Sequence, residues 1–217
     1  MAALWRAIRL VLTSVVVVAM LPLWASVAGA QAVGASAALI DSSGRMVGTA
    51  QLTQLAGGVR ISVSASNLPP GPHGIHLHET GVCDAPAFMG AGGHFNPTNR
   101  QHGLNNPQGP HAGDLPELTV AANGTASYSA TNTMVTLGTG ANSLLDADGS
   151  AVVIHAMADD QVTDPSGNSG GRIACGVLVR GAAALPATGG GSGAGGIGLL
   201  AVALAVAGAL RLSSRHS

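Results

Sequence analysis

The chain of 217 residues contains no lysine, and aromatic residues make up only 2% of it. Since hydrophobic residues still account for 47% of the sequence, a hydrophobic core must be built mainly from aliphatic side chains. Between residues 31 and 182 no segment has a convincing helical periodicity of apolar residues, which argues against a helical domain.

Positive charge is scarce in the central part of the chain. Residues 31–188 contain five arginines and ten acidic residues, which gives a formal charge of −5. A surface of this charge argues against a nucleic acid or an anionic membrane as the partner. An anionic substrate would have to be attracted by a local positive group.

Cysteine is limited to Cys83 and Cys175. An even pair in an exported protein indicates a disulfide, and a redox or metal-binding thiol is the alternative. Neither residue lies in a Cys-x-x-Cys motif. This argues against a redox or metal-binding thiol, although these residues alone leave both interpretations open.

The N-terminal residues have the pattern of an export signal. Arg6 and Arg9 precede an apolar run over residues 10–24, and small residues follow at Ala28-Gly29-Ala30. This order predicts a cleaved signal peptide over residues 1–30. An uncleaved membrane anchor is the alternative, although the apolar run is short for a span.

Residues 183–217 resemble a Gram-positive sortase sorting signal. They contain Leu185-Pro186-Ala187-Thr188-Gly189, a glycine-rich spacer, an apolar segment over residues 197–210, and the basic residues Arg211 and Arg215. The resemblance implies cleavage after Thr188 by a sortase and attachment to peptidoglycan in the cell wall. The alternatives are a protein tethered to the membrane by this C-terminal segment and a secreted protein.

The segment between the two signals has the pattern of short β-strands. Apolar and polar residues alternate over residues 59–65, and turn residues occur at 41–44 and 56–58, within a β-rich region over residues 35–67. Further strands are predicted at residues 117–121, 124–130, 151–156 and 172–180. Many short strands with glycine-rich turns predict an all-β sandwich or barrel.

Six of the eight histidines lie between residues 71 and 114. In a strand, His76 and His78 face the same side, and Ile75 and Leu77 face the other. Imidazole suits copper and zinc, and imidazole mixed with carboxylate is a usual zinc set. A connection as long and as rich in glycine and asparagine as residues 79–113 can be ordered by a metal ion, because binding free energy then becomes folding free energy.

These histidine motifs, together with Val152-Val153-Ile154-His155 and the segment over residues 171–177, resemble copper/zinc superoxide dismutases of the secreted bacterial type. The resemblance covers about residues 35–179. It implies an all-β domain over residues 31–182, an eight-stranded Greek-key flattened barrel or sandwich with a long metal-binding loop and a second active-site loop. Such a domain is a monomer or a homodimer.

The resemblance further implies one copper cation and one Zn²⁺ per subunit. The implied copper ligands are His76, His78, His94 and His155, and the implied zinc ligands are His94, His102, His111 and Asp114, with His94 bridging the two ions. Asp159 would orient one ligand of each ion, and Cys83 would form a disulfide with Cys175. His73 lies outside this metal set.

The implied activity is that of an oxidoreductase, a superoxide dismutase at the cell surface. Two superoxide anions and two protons would be converted to hydrogen peroxide and oxygen by copper redox cycling. Arg172 would attract the anion next to copper, and His94 would deliver one proton. Ala156-Met157 follows His155 without a charged pair, which is a departure from the eukaryotic pattern.

Two other functions are compatible with the same residues. One is a non-catalytic module that binds copper or zinc at the cell wall. The other is a structural wall domain whose zinc only orders the long loop. Metal content measured together with dismutase activity separates these three possibilities.

Overall fold

Ten β-strands and one short 3₁₀ helix lie within residues 33–182, the part of the chain that this computed structural model describes. The predicted signal peptide (1–30) and sorting signal (183–217) lie outside the described residues. The strands are β1 (Val33–Asp41), β2 (Met46–Leu55), β3 (Gly58–Ala65), β4 (Gly71–His73), β5 (Ile75–His78), β6 (Leu118–Val120), β7 (Ala126–Asn132), β8 (Ala151–His155), β9 (Arg172–Val177) and β10 (Val179–Ala182), and the 3₁₀ helix is Met89–Ala91. Within these residues no helix is long and apolar enough to cross a membrane.

The strands form one large sheet and one small pair. The order of the large sheet is β5-β8-β9-β1-β2-β3-β7, and β10 pairs with the N-terminal part of β1, so the sheet has eight strands. β4 and β6 form the separate pair. The prediction of an all-β, eight-stranded fold is confirmed.

The strand predictions are correct in type and differ in detail. The β-rich region over residues 35–67 comprises β1, β2 and β3, which the two predicted turns connect. The prediction of one strand over residues 172–180 is wrong, because β9 and β10 are separated at Leu178. Leu178 is buried, and its backbone N–H donates to Ser150 O at 2.9 Å, one position beyond the pair of Ala151 on β8 with Val177 on β9.

The core is aliphatic, as the composition predicts. On β3 the side chains of Val59, Ile61 and Val63 are buried, whereas Arg60 and Ser62 between them are only partly buried. Ile75 and Leu77 of β5 have no exposed surface and belong to the same core. Each aliphatic side chain of this size contributes roughly 1.5–3 kcal/mol when it is fully buried, so the sheet provides a rigid base for β5 and β8.

Two loops leave this base at neighbouring places. The long loop (residues 79–117) connects β5 to β6, and the short loop (residues 156–171) connects β8 to β9. The long loop folds back on β5: Leu77 N–H donates to Gly113 O at 2.9 Å, and Phe95 N–H donates to Leu77 O at 2.8 Å. A Cβ atom on Gly113 would lie 2.2 Å from Leu77 O, so this close return requires glycine.

The long loop is also joined to the sheet covalently. Cys83 in the loop and Cys175 on β9 form a disulfide, with their Cα atoms 5.6 Å apart. The disulfide prediction is therefore confirmed.

Candidate metal centre

Three parts of the fold bring the histidines together. β5 carries His76 and His78, and β8 ends at His155. The long loop carries His94, His102, His111 and Asp114, and the short loop carries Asp159. All eight of these side chains are buried. Because β5 and β8 are neighbours in the sheet, the strand histidines meet directly, and the returning long loop places the others above them.

One group consists of four histidines: His76, His78, His94 and His155. Their ligand atoms lie within 4.8 Å of one another. His78 Nε2 and His155 Nε2 are 3.4 Å apart. His76 Nδ1 and His94 Nε2 are buried and have no hydrogen-bond partner within the described residues. Buried nitrogens without a partner are rare and costly, and a shared metal ion would satisfy them.

A second group surrounds the carboxylate of Asp114. Its Oδ1 atom contacts the Nδ1 atoms of His94 at 2.9 Å, His102 at 3.1 Å and His111 at 3.3 Å. Its Oδ2 atom accepts the backbone N–H groups of Gly103 and His111, each at 2.9 Å. One oxygen thus faces three imidazole nitrogens while the other is fixed by the backbone. Three imidazoles and a carboxylate form a closed donor set that suits zinc.

His94 belongs to both groups through different atoms. Its Nδ1 faces Asp114, and its unpartnered Nε2 faces the four-histidine group. Around Asp114, the residues whose ligand atoms all lie within 4.8 Å of one another and of the carboxylate are His76, His94 and His102. His111 is not in this set. We assign His111 to the Asp114 group by its direct contacts, because its Nδ1 also lies 3.4 Å from His94 Nδ1. His76 uses Nε2 for another carboxylate, which leaves only Nδ1 for the first group.

That other carboxylate is Asp159, which links the two groups. His76 Nε2–H donates to its Oδ2 at 2.7 Å, and His102 Nε2–H donates to its Oδ1 at 3.0 Å. Gly167 passes directly over this contact, since a Cβ atom there would lie 1.8 Å from Asp159 Oδ1. The carboxylate therefore fixes the ring orientation of one member of each group, as acceptors behind metal ligands do.

The remaining strand histidines are oriented by backbone carbonyls. His78 Nδ1–H donates to Gly92 O at 3.0 Å, and His155 Nδ1–H donates to Gly170 O at 3.1 Å. His73 lies outside both groups, with its two ring nitrogens 2.8 Å from His155 O and Pro69 O.

Arg172 lies at the entrance to the four-histidine group. A cavity of about 700 Å³ opens there, and its lining includes Arg172, His78, His94 and His155. The guanidinium donates from Nη1 to Phe88 O and from Nη2 to Gly92 O, both at 2.5 Å.

Sequence reasoning missed these two carbonyl partners of Arg172. It also missed Glu117, whose carboxylate accepts the backbone N–H of Asp159 at 2.8 Å. A backbone carbonyl carries no sequence signature, and Glu117 lies far from Asp159 in the chain. No local pattern could have identified either.

Burial controls the protonation of the four-histidine group. It lowers the pKa of His76 to about 3 and the pKa of His155 to about 4. It also lowers the pKa values of His78 and His94 below the ordinary value. These rings are therefore neutral near pH 7, which is the state that binds metal ions.

At His102, two carboxylates oppose the effect of burial on the pKa. Burial alone would lower its pKa, but hydrogen bonds to Asp114 and Asp159 outweigh burial and raise the pKa to about 9. Burial would in turn raise the pKa of Asp114, yet hydrogen bonds from His102, His111 and His94 hold that pKa well below its usual range.

We expect the metal-free protein to be most stable near pH 6.5. His76 and His155 have folded-state pKa values below the unfolded value of 6.5, so their stabilising contribution is lost as the pH falls from 6.5 towards 4. His102 has a folded-state pKa above 6.5, so its contribution is lost as the pH rises towards 9. Between pH 6.5 and pH 5 the melting temperature should fall by on the order of 10 °C, measured by circular dichroism. A melting temperature that rises on acidification would contradict this expectation.

A family model described as copper/zinc superoxide dismutase matches residues 46–178 of this chain. Superoxide dismutase [Cu-Zn] 1 of Aquifex aeolicus is 46% identical over 151 residues, which are 69% of this chain and 89% of that protein. The superoxide dismutase-like protein YojM of Bacillus subtilis is 47% identical over 145 residues, covering 65% of this chain and 74% of that protein.

Solved structures show the same likeness. A double mutant of a superoxide dismutase-like protein from Bacillus subtilis superposes with a TM-score of 0.65 at 46% identity, covering 66% of this chain and 96% of that chain. The copper/zinc superoxide dismutase of Brucella abortus superposes with a TM-score of 0.54 at 28% identity, covering 66% of this chain and 98% of that chain.

Proposed function

The chain belongs to the copper/zinc superoxide dismutase family of oxidoreductases, and we propose that it removes superoxide at the cell surface with metal ions held by the two histidine groups. Family membership implies superoxide as the substrate and copper and zinc as the cofactors. One superoxide is oxidised to oxygen, and a second is reduced, with two protons, to hydrogen peroxide. The proposal concerns the assignment of the residues and the location of the protein.

We assign His76, His78, His94 and His155 to copper, and His94, His102, His111 and Asp114 to zinc. The observation that carries this assignment is the pair of unpartnered buried nitrogens, His76 Nδ1 and His94 Nε2. Every other ring nitrogen of the four-histidine group faces a hydrogen-bond acceptor or a neighbouring ring nitrogen. The donor types also fit, since imidazoles alone suit copper and a carboxylate with imidazoles suits zinc.

The bound ions supply one-electron redox chemistry from copper and a redox-inert positive charge from zinc. The protein residues have separate tasks. Arg172 attracts the anion into the cavity, which is needed because the charge of residues 31–188 is −5. His94 lines the same cavity, and its Nε2 is the atom at which a proton can be held for the reduced product. Asp159 keeps His76 and His102 in fixed orientations, so that the groups do not rearrange during turnover.

Replacement of Arg172 by alanine is expected to lower kcat/KM for superoxide by about 10- to 100-fold, because local attraction of the anion is lost. Pulse radiolysis at low and high ionic strength measures this change. The dependence on salt should also weaken in the variant. Arg180→Ala is the control, since Arg180 is exposed on β10, and its kcat/KM should stay close to that of the unchanged protein. Equal losses in the two variants would refute a local role of Arg172.

Metal analysis of the purified mature protein tests the function itself. Copper and zinc together with dismutase activity are expected. Metal without activity would support the non-catalytic metal-binding module, and zinc alone would support the structural wall domain. The sequence favours the enzyme, because each implied ligand position is occupied by the expected residue and Arg172 is also present.

The location at the cell surface rests on the two terminal signals. A disulfide between Cys83 and Cys175 supports export, because disulfides persist in oxidising compartments. Expression in a Gram-positive host with an active sortase tests the wall attachment. The protein should be released from the wall fraction by a muramidase, and Pro186→Ala should move it to the membrane or the medium. An unchanged distribution would refute sortase anchoring.

A further inference from the structure

Histidines that bind a metal through one nitrogen are normally oriented by an acceptor at the other nitrogen. Four of the five non-bridging histidines assigned above have such an acceptor. His76 and His102 donate to Asp159, whereas His78 and His155 donate to the carbonyls of Gly92 and Gly170. The fifth is His111, whose orientation these contacts leave unexplained.

The acceptor that faces His111 is Asp164 of the short loop. His111 Nδ1 points to Asp114, and His111 Nε2 lies 3.8 Å from Asp164 Oδ1. The same oxygen accepts the backbone N–H of His102 at 2.6 Å. One oxygen of Asp164 thus accepts the backbone N–H of His102 and lies near the ring of His111, two residues that we assign to zinc.

We propose that Asp164 is a positioning residue for the zinc site, a second carboxylate that orients His111 as Asp159 orients His102. The proposal rests on the proposed function, because it presupposes zinc at the Asp114 group. The separation of 3.8 Å is longer than a direct hydrogen bond, so the carboxylate would have to approach His111 or act on it through a water molecule. Asp164 is half-exposed, so water reaches it.

A role as a simple tether between the two loops does not account for this placement. Other contacts already tie them together: Asn105 N–H donates to Gln161 O at 3.0 Å, and Asn106 Nδ2 donates to Val162 O at 3.2 Å. The Gln161 side chain also donates to Leu115 O at 3.2 Å. The loops therefore stay in contact without Asp164. Within the described residues His111 Nε2 makes no hydrogen bond to the protein, and Asp164 carries the carboxylate that lies 3.8 Å from it.

The test compares Asp164→Asn with Asp160→Asn in the full mature protein. Asparagine at position 164 keeps an oxygen for the His102 N–H and removes the negative charge that faces His111. Asp160 is a matched control on the same loop, because among residues 33–182 its carboxylate bonds only to Val162, Thr163 and Asn168 of that loop.

Two measurements report on zinc independently of activity. The first is the rate of zinc release into a chelator in excess, and the second is the visible absorption spectrum of Co²⁺ substituted for zinc. Asp164→Asn should accelerate zinc release by about 10- to 100-fold and shift the Co²⁺ bands, and Asp160→Asn should change neither. Copper content should stay the same in both variants.

A rate of zinc release for Asp164→Asn within about two-fold of the unchanged protein would overturn the inference, as would equal acceleration by Asp160→Asn. If the protein without substitutions takes up neither zinc nor Co²⁺, the proposed function is overturned, and this inference with it. The two failures are therefore distinguishable.

Discussion

Replacement of His155 by alanine is expected to abolish dismutase activity and copper binding while zinc stays bound. His155 ends β8; its Nε2 faces His78 Nε2 of the four-histidine group at 3.4 Å, and its Nδ1–H donates to Gly170 O at 3.1 Å. It makes no hydrogen bond to Asp114, His102 or His111 among the contacts of residues 33–182. A copper site with three of its four nitrogens should hold the ion weakly, so activity should fall by roughly 100-fold or more.

Metal analysis after dialysis, together with a dismutase assay, measures this result. His111→Ala is the reciprocal variant, since His111 contacts the Asp114 group and should lose zinc while it keeps most of its copper. The two variants should thus lose different ions. Equal loss of zinc in His155→Ala would contradict the separation of the two groups.

Removal of the disulfide is expected to have the largest effect on stability. Cys83 and Cys175 are 92 positions apart, and closure of a loop of this length contributes about 4–5 kcal/mol on the chain-entropy model. The double variant Cys83→Ala, Cys175→Ala should therefore melt about 10–15 °C lower.

Loss of the disulfide should also disturb the residues that position Arg172. The disulfide holds the part of the long loop that contains Phe88 and Gly92, and the carbonyls of these residues position Arg172. Gly92 O also accepts the Nδ1–H of His78. A looser loop should therefore reduce kcat/KM more than it reduces copper content.

Calorimetry of the metal-loaded protein and a dismutase assay below the melting transition measure these two effects separately. Reduction of the unchanged protein with a thiol, followed by alkylation, provides a control without a change of sequence. An unchanged melting temperature would show that the disulfide is dispensable and that the loop is held by other contacts.

Much of this site could be predicted from the sequence because its chemistry is local. Alternation over residues 59–65 predicted β3, and the His76-x-His78 spacing predicted a strand with two imidazoles beside two core residues. Side-chain type alone limited the possible metals. The resemblance to a family then implied the complete set of residues that the structure brings together, and the assignment of each residue to an ion stays a prediction.

The amino-acid sequence by itself determined which residue types are available for strands, metal ions and the disulfide, because periodicity and donor chemistry are properties of neighbouring residues. Only the tertiary structure decided which distant groups meet them. The carbonyls of Phe88 and Gly92 at Arg172, and Asp164 beside His111, depend on how the two loops pack against each other. Every residue has a carbonyl, and several exposed acids resemble Asp164 in the sequence, so proximity in the folded chain alone selects among them.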